Sequence, residues 1–207
     1  MKQLILLGYE IITVMFPATV VILAFRLCRG KEQNRFHTEH LIGCLIFSCY
    51  FFALLHITGA GTIYDGFRYG LNSKMINLIP FSDTNIDIVG YFLNVVLFFS
   101  LGLMLPLLWA EFGNFKAVIF AGAALSLIVE LSQLINNRAT DVDDLILNTF
   151  GTFLGFLVYK LISKTLKSKI PAEAGMRTEM IQLISVPFLC RFFLFNEFGM
   201  AKNLYGF

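Results

Sequence analysis

Residues 130–155 read ELSQLINNRATDVDDLILNTFGTFLG, and the fold turns on how so many polar groups come to stand between two apolar runs. The stretch crowds a Glu, a Gln, three Asn, an Arg and three Asp into and between segments that are each long enough to lie in a bilayer. A charged side chain inside a transmembrane helix costs about 2.5–3.5 kcal/mol on insertion scales, so such residues are as a rule paired, turned toward a cavity and functional. The polar stretch is therefore the site to explain, and the apolar segments are its scaffold.

The chain as a whole agrees with a membrane setting. Of its 207 residues, 57% are hydrophobic and only 14% charged, and the mean hydropathy is +0.73, which excludes a soluble globule of ordinary composition. The charges gather in short segments between apolar runs of roughly 18–25 residues, the length that crosses a hydrocarbon core of about 30 Å as a helix. Apolar residues cover every face of these runs and do not alternate, so the spans are helices and not barrel strands. A net charge of +2, with no basic domain or aromatic-interleaved basic strip, argues against a nucleic-acid partner. Cys28, Cys44, Cys49 and Cys190 lack zinc-type spacing and are expected to have no nearby His at ligand spacing, so they are expected to serve as small hydrophobes.

The expected fold is all-α, a polytopic transmembrane helix bundle of about five spans plus a C-terminal apolar interfacial helix or marginal sixth span. The spans are placed at residues 4–27, 41–60, 88–109, 117–135 and 145–162. This organises the chain as an N-terminal two-span segment (1–60) with a basic loop, a three-span core (61–162), and a basic tail with an apolar helix (163–207). Arg26, Arg29, Lys31 and Arg35 mark residues 29–40 as a cytoplasmic loop, and Lys160, Lys164, Lys167, Lys169 and Arg177 place the tail on the same side. It follows that the N-terminus, the 61–87 connector and the 136–144 loop are expected outside. Glu10, near a helix end, is expected to reach the interface, His56 to be a satisfied structural group, and Trp109 to sit at the membrane surface. Pro80 biases Ile79 toward extended geometry, so NLIPF (77–81) reads as a bent or re-entrant segment. Residues 181–198 carry Pro187, Arg191 and Glu197 and read as an interfacial or bundle-packed helix.

On a helix, residues three, four and seven apart share a face. That groups Glu130, Gln133 and Asn137 on the fourth span and Asp144, Asn148, Gly151 and Gly155 on the fifth. Glu130 then lies roughly 8–10 Å below the outer end of its helix, at the depth of Asn94 on the third span. The candidate ligand-binding set is Glu130, Gln133, Arg138, Asp141, Asp143, Asp144 and Asn148, supported by Asn94 and Asn77 and roofed by NLIPF. Arg138 is the expected counter-ion of Glu130, which would otherwise be neutral in hydrocarbon. Gly151 and Gly155 form a G-x-x-x-G pair suited to close helix approach. One Asp, expected to be Asp143 or Asp144, caps the fifth helix. A structural ion-pair lock for a short helical hairpin is the competing account.

The composite pattern E-x-x-Q-x4-R-x2-D-x-D-D-x3-N-x2-G-x3-G, with NLIPF and the series Asn94, Phe98, Gly102, resembles the VanZ-like family of bacterial membrane proteins over about residues 77–159. Ser100 stands where that family often has a Pro, which removes the basis for a proline kink in the third span. The resemblance implies a multi-pass protein of the bacterial cell membrane, associated with teicoplanin-type glycopeptide resistance, with no settled reaction, cofactor or catalytic residue. On that footing the outward polar pocket is expected to bind or shield a membrane lipid, a lipid-linked cell-wall precursor or a lipoglycopeptide. Two alternatives stand beside it. One is an enzyme on a lipid-linked substrate, with Glu130 as acid/base and an Asp-held divalent cation, against which no Ser, His or Cys stands at nucleophile spacing. The other is a structural or regulatory subunit. No cofactor, metal ligand set or oligomeric state is assigned from the sequence.

Overall fold

In hydrocarbon a backbone N–H or C=O has no water to bond, so an apolar run must satisfy its own peptide groups as a helix. The computed structural model describes residues 2–28, 34–70, 76–82, 88–136, 140–165 and 177–206, and its helices follow the apolar runs. They are α1 (Lys2–Cys28), α2 (Asn34–Thr58), α3 (Ile63–Tyr69), α4 (Ile88–Leu108), α5 (Phe115–Gln133), α6 (Val142–Thr165), α7 (Arg177–Leu194) and α8 (Glu197–Tyr205). Two-residue strands β1 (Ile76–Asn77) and β2 (Thr140–Asp141) pair in parallel, Ile76 with Thr140 and Asn77 with Asp141. Among the described residues, five helical segments are long and apolar enough to cross a membrane: Lys2–Cys28, Thr38–Tyr69, Ile88–Leu108, Phe115–Asn136 and Val142–Lys164. The pair α7 and α8, bent by 45°, passes the same test only when taken together.

The chain divides into two units. One comprises Met1–Asn72, Ile135–Asn137 and Thr178–Phe207, the other Ser73–Leu134 and Arg138–Arg177.

In the first unit Val14, Ala18, Phe47, Phe51, Leu54 and Leu55 form the apolar core. Three expectations change here. Residues 34–40, read as loop, are already helical in α2. Part of the 61–87 connector folds as α3, started by a capping box in which Thr62 N donates to Asp65 Oδ2 at 2.6 Å while Asp65 N donates back to Thr62 Oγ1 at 3.4 Å. Glu10 does not reach the interface: it is 4% exposed, and Arg191 of α7 grips its Oε1 through Nε (2.9 Å) and Nη2 (2.7 Å). Burial of both ends explains the reversal, since a carboxylate enclosed by other helices can stay charged only beside a cation. His56 Nδ1 lies 2.7 Å from Glu10 Oε2, consistent with its expected structural role.

In the second unit the core is Leu97, Phe98, Leu101 and Leu105 of α4, Val118, Leu125 and Val129 of α5, and Phe156 of α6. α4 and α6 meet backbone to backbone. A Cβ added at Gly151 or Gly155 would run into the carbonyl oxygens of Val95 or Phe99, and one added at Gly102 into that of Thr152. The G-x-x-x-G pair thus takes up the close approach expected of it. Thr152 is fully buried, with its side chain against Gly122 of α5. α4 runs unbroken through Ser100, whose Oγ donates to the Val96 carbonyl at 3.2 Å. Trp109, expected at the surface, is fully buried, where the chain turns at once into the short 3-10 segment Ala110–Gly113, whose Phe112 is buried as well.

Candidate functional site: the acidic turn of the second unit

The turn ahead of α6 is organised by carboxylates that accept from neighbouring backbone and side chains. Asp141 sits just before the helix, and its Oδ1 accepts from the Asp143 backbone N–H at 3.0 Å. The capping residue is therefore Asp141 and not Asp143 or Asp144 as expected, because α6 begins at Val142, two residues earlier than a cap at Asp143 requires. Its other oxygen accepts from Asn77 Nδ2 at 3.3 Å, on the residue that the β1–β2 pairing sets opposite it.

Asn77 also folds the NLIPF segment on itself. Its Oδ1 accepts from Ile79 N (3.1 Å) and from the Ser82 hydroxyl (3.2 Å), bridging the turn around Pro80. Phe81 takes a left-handed conformation, φ 53°, which an L residue holds only when its surroundings fix it. What fixes it is Asp143, whose Oδ1 accepts from the Phe81 backbone N–H at 2.8 Å. The second oxygen of Asp143 accepts from the Tyr91 hydroxyl of α4 at 2.5 Å. Fully buried, Asp143 thus joins α6 to both α4 and the turn. The bent segment expected at 77–81 is present, with Leu78, Ile79 and Phe81 exposed.

The remaining groups face the helix interior. Asp144 Oδ1 accepts from Asn94 Nδ2 at 2.6 Å. Glu130 takes a hydrogen bond from the Asp141 backbone and lies within electrostatic reach of Asp144 and Asp141. Glu130 and Gln133 are both buried on α5. Asn148 donates from Nδ2 to Ser126 Oγ at 2.9 Å, while its Oδ1 is buried with no hydrogen-bond partner among the described residues. A solvent-free amide oxygen of that kind is costly and marks a place where a donor fits. The structure therefore brings together Glu130, Asp141, Asp143, Asp144, Asn94 and Asn77, with Asn148 and Gln133 on the adjoining helix faces. Arg138 and Asn137 lie outside the described residues. Tyr91, Ser82 and Ser126 were not singled out from the sequence; Tyr91 precedes Asn94 by three residues on one face of α4, a spacing that held the clue.

An open apolar groove of about 440 Å³ runs beside this turn, lined by Phe115 and Ile119 of α5 and by Leu145, Ile146, Thr149, Phe150 and Phe153 of α6. It begins at the residues immediately after Asp144. The first unit holds a separate polar cavity of about 360 Å³ whose lining includes Glu10, His56, Thr62, Asp65, Arg191 and Glu197.

Five helices fit to cross a membrane, three of them built around a turn rich in buried carboxyl and amide groups, define a multi-pass membrane protein. Over residues 42–163 the sequence matches the model of the VanZ/LLP1 family, and the chain belongs to that family. It is 34% identical over 102 residues to Protein VanZ of Enterococcus faecium, an alignment that takes in 49% of this chain and 62% of that relative. No solved structure matches the chain.

Proposed function

We propose that the protein is a bacterial cell-envelope component whose acidic turn binds or shields a lipid-linked or amphiphilic ligand, in the setting of resistance to teicoplanin-type glycopeptides. The observation that carries this reading is the adjacency of two unlike surfaces on one helix pair. Glu130, Asp144 and the unsatisfied Oδ1 of Asn148 offer acceptors to the hydroxyl, amide or ammonium donors of a polar head. The shallow, open groove that includes Leu145 and Ile146 offers an apolar surface for a chain. Since Asp141 and Asp143 are engaged in holding the turn, the ligand-facing members are Glu130, Gln133, Asp144 and Asn148, with Arg138 as their cation and Asn94 and Asn77 in support.

The basic residues after Lys160 and in 26–35 favour a cytoplasmic tail and loop, which sets the N-terminus and the acidic turn on the outer face. A ligand there is a membrane lipid, a lipid-linked wall precursor or a lipoglycopeptide antibiotic.

The test is a substitution series, Glu130→Gln and Arg138→Gln, read by binding of a lipid-linked wall precursor and of teicoplanin to purified protein, and by glycopeptide susceptibility of cells with expression checked. Weaker binding with altered susceptibility is the expected result. Unchanged binding and susceptibility at normal protein levels overturn the proposal.

A further inference from the structure

His40 and Cys44 stand four residues apart on one face of α2, and the first turn of α7 brings Glu179 against them. The expectation that no cysteine has a His at ligand spacing overlooked this i, i+4 pair, and its third member comes from a position 139 residues beyond His40. One nitrogen, one sulfur and one oxygen donor lie mutually within 4.8 Å. We propose that these three side chains form a binding site for a divalent transition-metal ion of the zinc class, linking α2 to α7 within the first unit.

Geometry supports the assignment. His40 Nε2 is 3.4 Å from Cys44 Sγ and 2.8 Å from Glu179 Oε2. For zinc bonds of about 2.0 Å to N or O and 2.3 Å to S, a tetrahedral centre places N and S about 3.5 Å apart and N and O about 3.3 Å apart. The nitrogen–sulfur edge already has that length, and the nitrogen–oxygen edge needs to open by about 0.5 Å. A small pocket of about 20 Å³ is lined by the three together with Ile22, Phe25, Arg26 and Leu41. That is room for a single small ion or water.

The chemistry of the donors points the same way. A single ring nitrogen, Nε2, faces both the carboxylate and the sulfur. A cation at the centre would use one lone pair from each of the three donor atoms. Thiolate and carboxylate together cancel the charge of a dication, so the complex is neutral where Cys44 and Glu179 are both buried. A thiolate with an imidazole selects zinc-like ions over magnesium or calcium, which take oxygen donors. With three protein ligands the fourth position is left to water or an anion, on the side of His40, the most exposed of the three.

The experiment uses the full-length protein in detergent, stripped with chelator and titrated with Co²⁺ as the spectroscopic probe, with Zn²⁺ as competitor. One equivalent of Co²⁺ is expected to produce a thiolate-to-metal absorption band with tetrahedral visible bands, displaced by Zn²⁺. Cys44→Ser is expected to abolish the thiolate band, and Glu179→Gln to weaken Co²⁺ binding by roughly tenfold or more. A triple variant, C28S/C49S/C190S, keeps Cys44 as the only thiol and should retain the band, which keeps the test decisive if Cys44→Ser folds poorly. Absence of a thiolate band in the unmodified protein, its persistence in Cys44→Ser, or its loss in the triple variant at normal yield overturns the site.

Discussion

At the scale of single residues, some carboxylates hold the fold and others are proposed to face a ligand. Glu10 belongs to the first kind. Removing one member of a buried ion pair leaves an uncompensated charge and costs about 3–5 kcal/mol, whereas replacing both is often close to neutral. Arg191→Met is accordingly expected to lower stability by about that amount, and Glu10→Gln with Arg191→Met to recover much of the loss, measured by unfolding in detergent. Equal stability of the single and double variants would show that the pair contributes little. Asp143 is also of the first kind. Tyr91→Phe takes away its hydroxyl donor and is expected to cost about 1.5–3 kcal/mol while leaving ligand binding within a few-fold, since Tyr91 faces the turn and not the groove. Glu130→Gln should do the reverse. The sequence already pointed to the acids because charge inside apolar segments is conspicuous. It did not say which Asp caps α6 or which grips Phe81, because a shift of two residues in the helix start moves the cap from one to the other.

At the scale of elements, the crossing of α4 and α6 depends on missing side chains. Gly155→Leu would drive a side chain into the Phe99 carbonyl, and overpacking of this sort costs roughly 1–3 kcal/mol or more. Gly155→Leu is expected to lower the thermal midpoint by several degrees, while Gly8→Ala, which meets nothing within 4 Å, leaves it unchanged. Comparable effects at both positions would sink the account of the crossing. The glycine pair was legible because its spacing repeats on one helix face. The start of α3 was available as well, in Thr62 and Asp65 at capping-box spacing, but lay hidden in a segment that reads as a connector by composition. The interior position of Trp109 was not legible, since the preference of Trp for membrane surfaces is an average that a single residue need not follow.

At the scale of the whole molecule, five spans were readable from hydropathy alone, and the partners that tie the first unit together were not. No local pattern couples residues as distant as Glu10 and Arg191, or His40 and Glu179. The proposed orientation is a whole-chain property and is tested as one. Cysteines introduced at residues 83 and 139 are expected to react with an impermeant maleimide from outside intact cells, and cysteines at 31–35 to be shielded; the opposite pattern inverts the orientation. The Glu10–Arg191 pair has a further consequence, in time and not in space. A ribosome that has just delivered Glu10 to the membrane must add 181 residues before the matching guanidinium exists. At about 5–20 residues per second that interval is roughly 10–40 s. Throughout it the nascent first helix carries an acid without its guanidinium partner, and the insertion machinery has to hold it unpaired. A chain stopped before residue 177 would never leave that condition, and should be cleared by membrane proteases faster than the full chain.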